Sequence, residues 1–393
     1  MMTLVRFLPA CVVLVAACAT SGARPATSQQ PSDSALYVAL LGQDTSYFEW
    51  LVRRGNNVRL DVVERIPRVR LLRTMLTQNA DGSLASFERR AYLPSASGIT
   101  ASELVTVRVI GDSTIIETTG SGVATRHAAR GRAHIVIPAF LQSSYPVIVT
   151  SAPKTAGDSI LSNIFSLDLG DRVLTIKRVS ADSVTLSANV LGTIRVRVDA
   201  EGRAESFSGI GSSINTIGTR VPWLPVDSVF QAFAARERAT GVVGTASPRD
   251  TARANISGAA LVIDYGRPSK RGRKVFGGIV PFNRVWRTGA NLATHFITDR
   301  AIKLGDNLLP PGRYTLWTLP AESGWTLIVN NQTEQWGTDY DPRFDRFRVA
   351  MRTTTLPEVI EKFTILVETA AGGGVMRFRW DTLEASVPFT IVP

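Results

Sequence analysis

The stretch Ile194-Arg195-Val196-Arg197-Val198 alternates apolar and charged side chains with a period of two residues. Val105-Thr106-Val107-Arg108-Val109 repeats this alternation earlier in the chain. This alternation is typical of a strand with one solvent-exposed face and one buried face, because successive side chains point to opposite faces of a sheet. Turn-forming pairs such as Gly170-Asp171 and Glu201-Gly202 favour tight hairpins between such runs. The pattern therefore predicts a mainly all-β chain that begins with an antiparallel meander or half-barrel.

The alternating runs fall into two groups separated by the polar segment ATGVVGTASPRDTARA. We expect an antiparallel β-rich domain over residues 35–245, which ends in a helix near residues 227–238 where apolar side chains recur with helical spacing. A second domain over residues 246–393 contains about seven short strand patterns with frequent turns, which favours a β-sandwich. Within it, Pro357 at a first-turn position predicts a short helical turn at residues 356–362.

Composition limits the function classes that this chain can belong to. With 44% hydrophobic and 20% charged residues, its 393 residues contain enough apolar material for real cores. Two cysteines exclude a disulfide framework, and three histidines leave little material for a histidine-built metal centre. We therefore expect no metal and no cofactor. The formal charge of +11 points to anionic partners.

The amino terminus has the pattern of an export signal. A basic start that includes Arg6 precedes an apolar run over residues 7–17, about half of the ~20 residues that a membrane-spanning helix needs. The run ends in Val15-Ala16-Ala17-Cys18, which resembles the lipobox of bacterial lipoproteins, whose cysteine is acylated with chains such as palmitate. The alternative is an ordinary cysteine beside a standard cleavage site. We expect residues 1–17 to be a signal peptide and Cys18 to be lipidated.

The segment after Cys18 predicts a tether to a membrane. Residues 19–34, ATSGARPATSQQPSDS, contain no aliphatic side chain larger than alanine and cannot order themselves by burying apolar surface. As a flexible coil they span on the order of 20–24 Å, so residues 18–34 can hold a domain just off the bilayer. Ala19 differs from the aspartate that commonly retains lipoproteins in the inner membrane. We therefore expect an exported lipoprotein of the outer membrane, on a side that the sequence leaves open.

Several motifs of the second half resemble a known family. They are Asp264-Tyr265-Gly266-Arg267-Pro268-Ser269, Val285-Trp286-Arg287-Thr288-Gly289-Ala290-Asn291, Leu309-Pro310-Pro311-Gly312-Arg313-Tyr314-Thr315-Leu316 and Gln335-Trp336-Gly337. In this order they are similar to an uncharacterised bacterial family, domain of unknown function 2911, over residues of about 250–393. The resemblance implies a β-rich domain that is common in exported proteins. It implies no activity.

One of these motifs gives the best candidate site. Residues 286–291 place an indole, a guanidinium, a hydroxyl and an amide close together, groups that bind sugars and carboxylates well. The same residues can instead be internal braces that tie loops to strand ends. Extended over the surrounding motifs, the ligand-binding candidates are Tyr265, Arg267, Trp286, Arg287, Asn291, Thr294, Trp336 and Tyr340.

Two charged clusters complete the set of candidates. Five cationic side chains lie between Arg267 and Lys274, which suggests anionic lipid headgroups or another envelope polyanion, or else a solvated loop. Nucleic acid is not expected as a partner of an exported chain. Asp339, Asp341 and Asp345 form an acidic cluster that suits acid–base chemistry or simply a turn.

No residue stands out as catalytic. The sequence does not decide whether the protein is an enzyme, but it favours a protein that is not one. We expect a cell-envelope lipoprotein that binds an unidentified small ligand or an envelope protein without catalysis. The alternative is a hydrolase of envelope glycans or peptides that uses the acidic cluster together with Arg287 and Asn291.

Overall fold

A computed structural model describes residues 33–392 except residues 81, 97, 121–123, 131–134, 138–144, 167–169, 189–191 and 213. The predicted signal peptide, Cys18 and nearly all of the tether lie outside the described residues. The first strand begins at Asp33, two residues before the expected start of the first domain. None of the helices in the described ranges combines the length and the apolar character that crossing a bilayer requires.

The first sheet contains fifteen of the described strands and is a meander. Along the sheet the order is β8-β7-β6-β5-β4-β3-β2-β1-β15-β14-β13-β12-β11-β10-β9, so that β1 pairs with β15 in the middle. Neighbours are antiparallel except β9 and β10. The strands are β1 Asp33–Leu41, β2 Asp44–Arg54, β3 Asn57–Glu64, β4 Arg70–Gln78, β5 Leu84–Ser95, β6 Gly98–Ile110, β7 Ser113–Thr119, β8 Thr125–Arg130, β9 Ile135–Ile137, β10 Ser159–Ser166, β11 Gly170–Ser180, β12 Ser183–Ala188, β13 Gly192–Val198, β14 Ala204–Ser208 and β15 Ile217–Val221.

The alternation in the sequence sets the two faces of this sheet. Ile194, Val196 and Val198 of β13 are at most 2% exposed and belong to the core on one face, whereas Arg195 and Arg197 between them are exposed on the other. A short helix α1, Tyr145–Ile148, and a 3-10 turn, Val149–Ser151, pack into the same core. The predicted antiparallel meander is confirmed.

Helix α2, Val226–Thr240, covers part of the opposite face. Its buried Phe230 and Ala234 pack in a cluster with Trp50 of β2, whose indole N–H donates to the carbonyl of Leu224 over 2.7 Å. The helix that the spacing predicts at residues 227–238 is therefore present and extends slightly further at each end.

The second sheet contains nine strands in the order β16-β17-β18-β21-β22-β23-β24-β19-β20. The hydroxyl of Tyr265 on β17 accepts a hydrogen bond from the backbone N–H of Ile365 on β23, over 3.1 Å, so the sheet folds back on itself around its own core. This is the layered, antiparallel arrangement that the sequence predicts. The strands are β16 Arg249–Ile256, β17 Ala259–Gly266, β18 Thr294–Thr298, β19 Ile302–Leu304, β20 Asn307–Leu309, β21 Gly312–Ala321, β22 Gly324–Asn330, β23 Asp345–Ala370 and β24 Gly373–Ile391.

The helical turn expected at residues 356–362 is wrong, because these residues lie inside the long strand β23. The ladder between β23 and β24 shifts register between Thr355 and Ile360 and again between Ile360 and Thr364. Such irregularities let an exposed proline, which has no N–H to donate, lie within a strand. Pro357 therefore marks a bulge, and no helix starts there.

The β1–β2 turn of the first sheet contacts the second half of the chain directly. The backbone N–H of Gln43 donates to the carbonyl of Arg271 over 3.1 Å, and the Arg271 guanidinium lies 2.6 Å from the carboxylate of Asp44. Gly42 has a φ of +67°, and a Cβ there would lie 2.3 Å from the Arg271 carbonyl oxygen. Only glycine permits this approach, and the contact fixes one rim of the site described next.

Candidate functional site

A cavity of about 1080 Å³ lies where loops of the second sheet face the outer side of the first. One wall consists of the exposed side of β11, β12 and β13, with Thr175, Ser187 and Thr193. The opposite wall consists of residues 245–249, 279–281, 284–287 and 289–291. Both halves of the chain therefore contribute side chains to one concave surface, which is the usual shape of a ligand site.

Backbone geometry positions the loop at residues 286–291. Trp286 and Thr318 exchange two backbone hydrogen bonds of 2.7 and 3.0 Å, which attach the start of the loop to β21. Thr288 and Asn291 both adopt positive φ, at 52° and 63°, so the chain turns sharply twice. The hydroxyl of Thr294 donates to the carbonyl of Thr288 over 2.7 Å and holds the turn closed. The loop is thereby fixed, with Arg287 among the residues that line the cavity.

Arg287 is the chemically distinctive residue of this cavity. Its side chain is half-buried, and its guanidinium makes no hydrogen bond or ion pair within the described part of the chain. Burial lowers the pKa of Arg287 to about 10, so the group still carries a positive charge at neutral pH. A cation removed from water without a partner is costly, so it attracts any anion that can reach it.

Gly337 determines where this guanidinium lies. The Arg287 stem packs directly over Gly337, and a Cβ at that glycine would lie 2.3 Å from Arg287 Cδ and 2.5 Å from the carbonyl oxygen of Asn291. The backbone N–H of Gly337 donates to that same carbonyl over 2.8 Å. The glycine therefore provides the space through which the arginine reaches the cavity.

The cavity is strongly cationic. Its lining includes five arginines and no aspartate or glutamate among the described residues. Arg249 pairs with the carboxylate of Asp264 outside the cavity, and Arg273 donates to the backbone carbonyls of Ser269 and Lys270. The remaining arginines are Arg195, Arg284 and Arg287, which make no ion pair in the ranges that the structure describes. Guanidinium groups that line a cavity and have no carboxylate partner there are suited to binding a carboxylate or phosphate.

Aromatic side chains support the arginine loop from behind. The rings of Trp286 and Trp380 stack with centroids 5.9 Å apart and 17° between their planes, and both residues line the cavity. Trp317 and Tyr340 form a second pair, with centroids 5.0 Å apart. These rings are rigid and largely buried, so they keep the loop in a fixed position beside the unpaired guanidinium.

Residues 247–389 match the family model described as "Protein of unknown function (DUF2911)". We refer to these residues as the DUF2911 region. The comparison with curated proteins gave no match.

Two solved structures are similar to parts of this chain. One is a DUF1089 family protein from Pseudomonas aeruginosa, 14% identical, with 47% of this chain and 95% of that chain covered and a TM-score of 0.29. The other is a β-barrel-like protein of domain of unknown function DUF1849 from Brucella abortus, 10% identical, with 48% of this chain and 95% of that chain covered and a TM-score of 0.33.

The candidates predicted in the DUF2911 region divide into two groups. Trp286, Arg287, Asn291 and Tyr340 line the cavity. The other four have separate roles: the Tyr265 hydroxyl bonds to β23, Arg267 pairs with Asp250, Thr294 closes the loop, and Trp336 forms a bridge with Leu292.

Asn291 and Arg287 differ in what they contact. The Asn291 side-chain amide donates to the carbonyl of Ser247 over 3.4 Å, as the brace interpretation expects. Arg287 has no such acceptor among the residues that the structure describes. The motif therefore contains one bracing side chain beside one with free hydrogen-bonding capacity.

The cationic cluster at residues 267–274 is largely engaged inside the protein. Lys270 lies 2.5 Å from the carboxylate of Asp381, Arg267 pairs with Asp250, and Arg271 pairs with Asp44 across the junction. Lys274 is exposed and makes no ion pair among the described residues. The cluster therefore connects the two sheets, and little of its charge is left for a polyanion.

The carboxylates of Asp341 and Asp345 in the acidic cluster are also bound by neighbouring side chains. Asp341 pairs with Arg343 and caps the 3-10 turn Pro342–Phe344, which holds the pKa of its carboxyl below the usual range. Asp345 accepts from the Tyr340 hydroxyl over 2.6 Å and from the Arg348 guanidinium over 2.8 Å. Neither aspartate lines the cavity. In the parts of the chain that the structure describes, no group of three or more metal-ligating side chains comes together.

Arg195, Arg249 and Arg284 were not among the candidates on sequence grounds, and Arg273 was considered only as part of the cationic cluster at residues 267–274. Arg195 belongs to the strand pattern in the first half of the chain, and only the packing of that strand against the DUF2911 region brings it to the cavity. Its sequence neighbourhood gives no signal for this role, because alternating arginines are typical of any solvated strand face.

Proposed function

We propose that this chain is a cell-envelope lipoprotein, attached through Cys18, that binds a small anionic ligand in the cavity without transforming it. The single observation that carries the proposal is the Arg287 guanidinium, half-buried and unpaired in a cavity whose described lining contains no carboxylate. A bound carboxylate or phosphate supplies the two parallel acceptors that a guanidinium fork prefers.

The energetics favour an anion in this position. An uncompensated charge in a partly desolvated site destabilises the protein, whereas pairing it with an anion recovers the lost interaction. Arg284 and Arg195 are exposed residues of the cavity lining and add positive potential there, which raises the association rate of anions. A neutral ligand can accept hydrogen bonds from the guanidinium but does not compensate its charge.

The hydrolase alternative has less support. General acid–base chemistry requires at least two titratable groups that converge on one reacting centre. The carboxylates of Asp341 and Asp345 are held by Arg343, Arg348 and Tyr340, outside the cavity. Arginines alone bind and orient an anion but do not exchange protons at neutral pH.

The proposal is tested by titrating the chain carrying Cys18→Ser, purified without detergent, with inorganic phosphate, citrate and acetate, and with glucose as a neutral control. We expect saturable binding of at least one anion, weakened about tenfold by Arg287→Gln, as the loss of a charge-assisted hydrogen-bond pair predicts. Arg238→Gln, on the exposed face of α2, is the matched control and should leave the affinity unchanged. Absence of saturable anion binding, or equal effects of the two substitutions, would overturn the proposal.

A further inference from the structure

The wall that the first sheet contributes to the cavity continues into an exposed apolar surface. Thr193, Ser187 and Thr175 lie side by side on β13, β12 and β11, and the next position in this row is Leu161 on β10. Val173 lies one step further along the same face of β11 and lines the cavity.

These two apolar side chains are unusually exposed. Leu161 is 70% exposed and Val173 is 53% exposed. Elsewhere on this face the row contains threonine and serine, which are ordinary residues of a solvated sheet face. A Leu–Val pair that continues the wall of a binding cavity indicates a surface that a ligand covers.

The opposite wall is also apolar near its rim. Ile279 and Pro281 line the cavity on the side of the DUF2911 region and are only partly buried. The cavity volume of about 1080 Å³ lies just above the range of about 300–1,000 Å³ that is usual for pockets of drug-sized ligands. A free phosphate or acetate ion would leave most of this space to water.

We infer that the ligand is an amphiphilic anion: a phosphate or carboxylate head that pairs with Arg287, joined to an alkyl chain that lies along Val173 and Leu161. This inference rests on the proposed function, since it assigns an apolar part to the same anion. The chain gains affinity by leaving water, in proportion to the apolar area that it covers.

A chain-length series provides the test. The Cys18→Ser chain, free of competing detergent, is titrated with inorganic phosphate and with butyl, hexyl and octyl phosphate below their micelle concentrations. The matching alkyl carboxylates form a second arm that identifies the preferred head. Each buried methylene should tighten binding about fourfold, which corresponds to about 0.8 kcal/mol.

Substitutions separate the apolar surface from the head site. Leu161→Ser combined with Val173→Thr should weaken octyl phosphate about fivefold or more and leave inorganic phosphate unchanged. Ile110→Ser, at a residue of β6 that is 62% exposed, is the matched control. Octyl glucoside tests whether the head is needed, and should bind far more weakly than octyl phosphate.

The outcomes distinguish a failure of the amphiphilic ligand from a failure of the anion site itself. Affinity that does not depend on chain length overturns the amphiphile and leaves the anion site intact. Equal binding of octyl glucoside and octyl phosphate also overturns the amphiphilic anion. If Arg287→Gln leaves the affinity for every phosphate unchanged, the proposed function fails, and this inference fails with it.

Discussion

Replacing Arg287 by methionine should make the unliganded protein more stable and reduce its stabilisation by anions. Methionine keeps an unbranched, flexible stem that can pack over Gly337 as the arginine stem does, but it has no charge to desolvate. Exchange of a desolvated, unpaired cation for an apolar side chain of similar volume is often stabilising. The wild-type residue is therefore expected to favour binding at the expense of stability.

The size of the effect follows from how far burial perturbs the guanidinium. The pKa of Arg287 falls from its ordinary value of 12.5 to about 10, because burial disfavours the charged form. At about 1.36 kcal/mol for each pKa unit, this corresponds to about 3 kcal/mol against the charged form. Because solvent reaches part of the half-buried side chain, we expect Arg287→Met to raise the free energy of unfolding by about 1–3 kcal/mol.

The assay is urea unfolding followed by tryptophan fluorescence, with and without phosphate or citrate, whichever anion binds the wild-type chain. An anion at about one hundred times its wild-type dissociation constant should add about 2.7 kcal/mol to the wild-type protein, and about 1.4 kcal/mol to Arg287→Met if that variant binds about tenfold more weakly. Arg238→Met controls for the general effect of removing a positive charge. A loss of more than about 1 kcal/mol in unliganded Arg287→Met would refute the reasoning, since it would show that the guanidinium is a stabilising brace.

Three further predictions concern other residues. Burial without a partner for either carboxylate oxygen raises the pKa of Glu49 to about 8, above its unfolded value, so the folded chain retains this proton from about pH 4.5 to 8. As the pH rises through that window, the stability of the wild-type protein should therefore fall relative to that of Glu49→Gln, by at most about 1.4 kcal/mol per pH unit. Parallel curves of the unfolding free energy against pH for the two proteins would contradict this. Gly337→Ala should lower the melting temperature and weaken anion binding, because the added Cβ would overlap Arg287 Cδ and the backbone carbonyl of Asn291. An unchanged affinity for phosphate in a titration would argue against this placement of the arginine. Cys18→Ser should move the protein out of the membrane fraction, and retention after a salt wash would mean that the lipid anchor is wrong.

Much of the fold was accessible from the sequence because period-two alternation is a local signal. It identified the buried face of strands such as β13, and helical spacing identified α2. The pairing of β1 with β15 was not accessible, because it joins residues almost two hundred positions apart and depends on how the whole meander curves. Pro357 misled for a related reason: a proline signals a helix start or a bulge equally well, and only the partner strand decides between them.

The site was accessible only in part. The motif at residues 286–291 identified Arg287, because it concentrates several polar groups in a short loop. It did not distinguish Arg287 from Asn291. Asn291 donates to the carbonyl of Ser247, whereas Arg287 has no acceptor within the described ranges. Whether a polar group has a partner depends on residues that are distant in sequence, so no local pattern reports it.

The distribution of positive charge shows why density along the sequence is a poor guide to function. In the most concentrated cationic stretch, between Arg267 and Lys274, three of the five cations pair with Asp44, Asp250 and Asp381, which compensate most of its charge. Arg195 and Arg287 lie far apart in the chain, yet they line one cavity whose described walls contain no carboxylate. The potential that a ligand experiences depends on the uncompensated charge near it and on how little water screens that charge. The unpaired arginines of the cavity come from both halves of the chain, so no single stretch of sequence shows the attraction for an anion that they produce together.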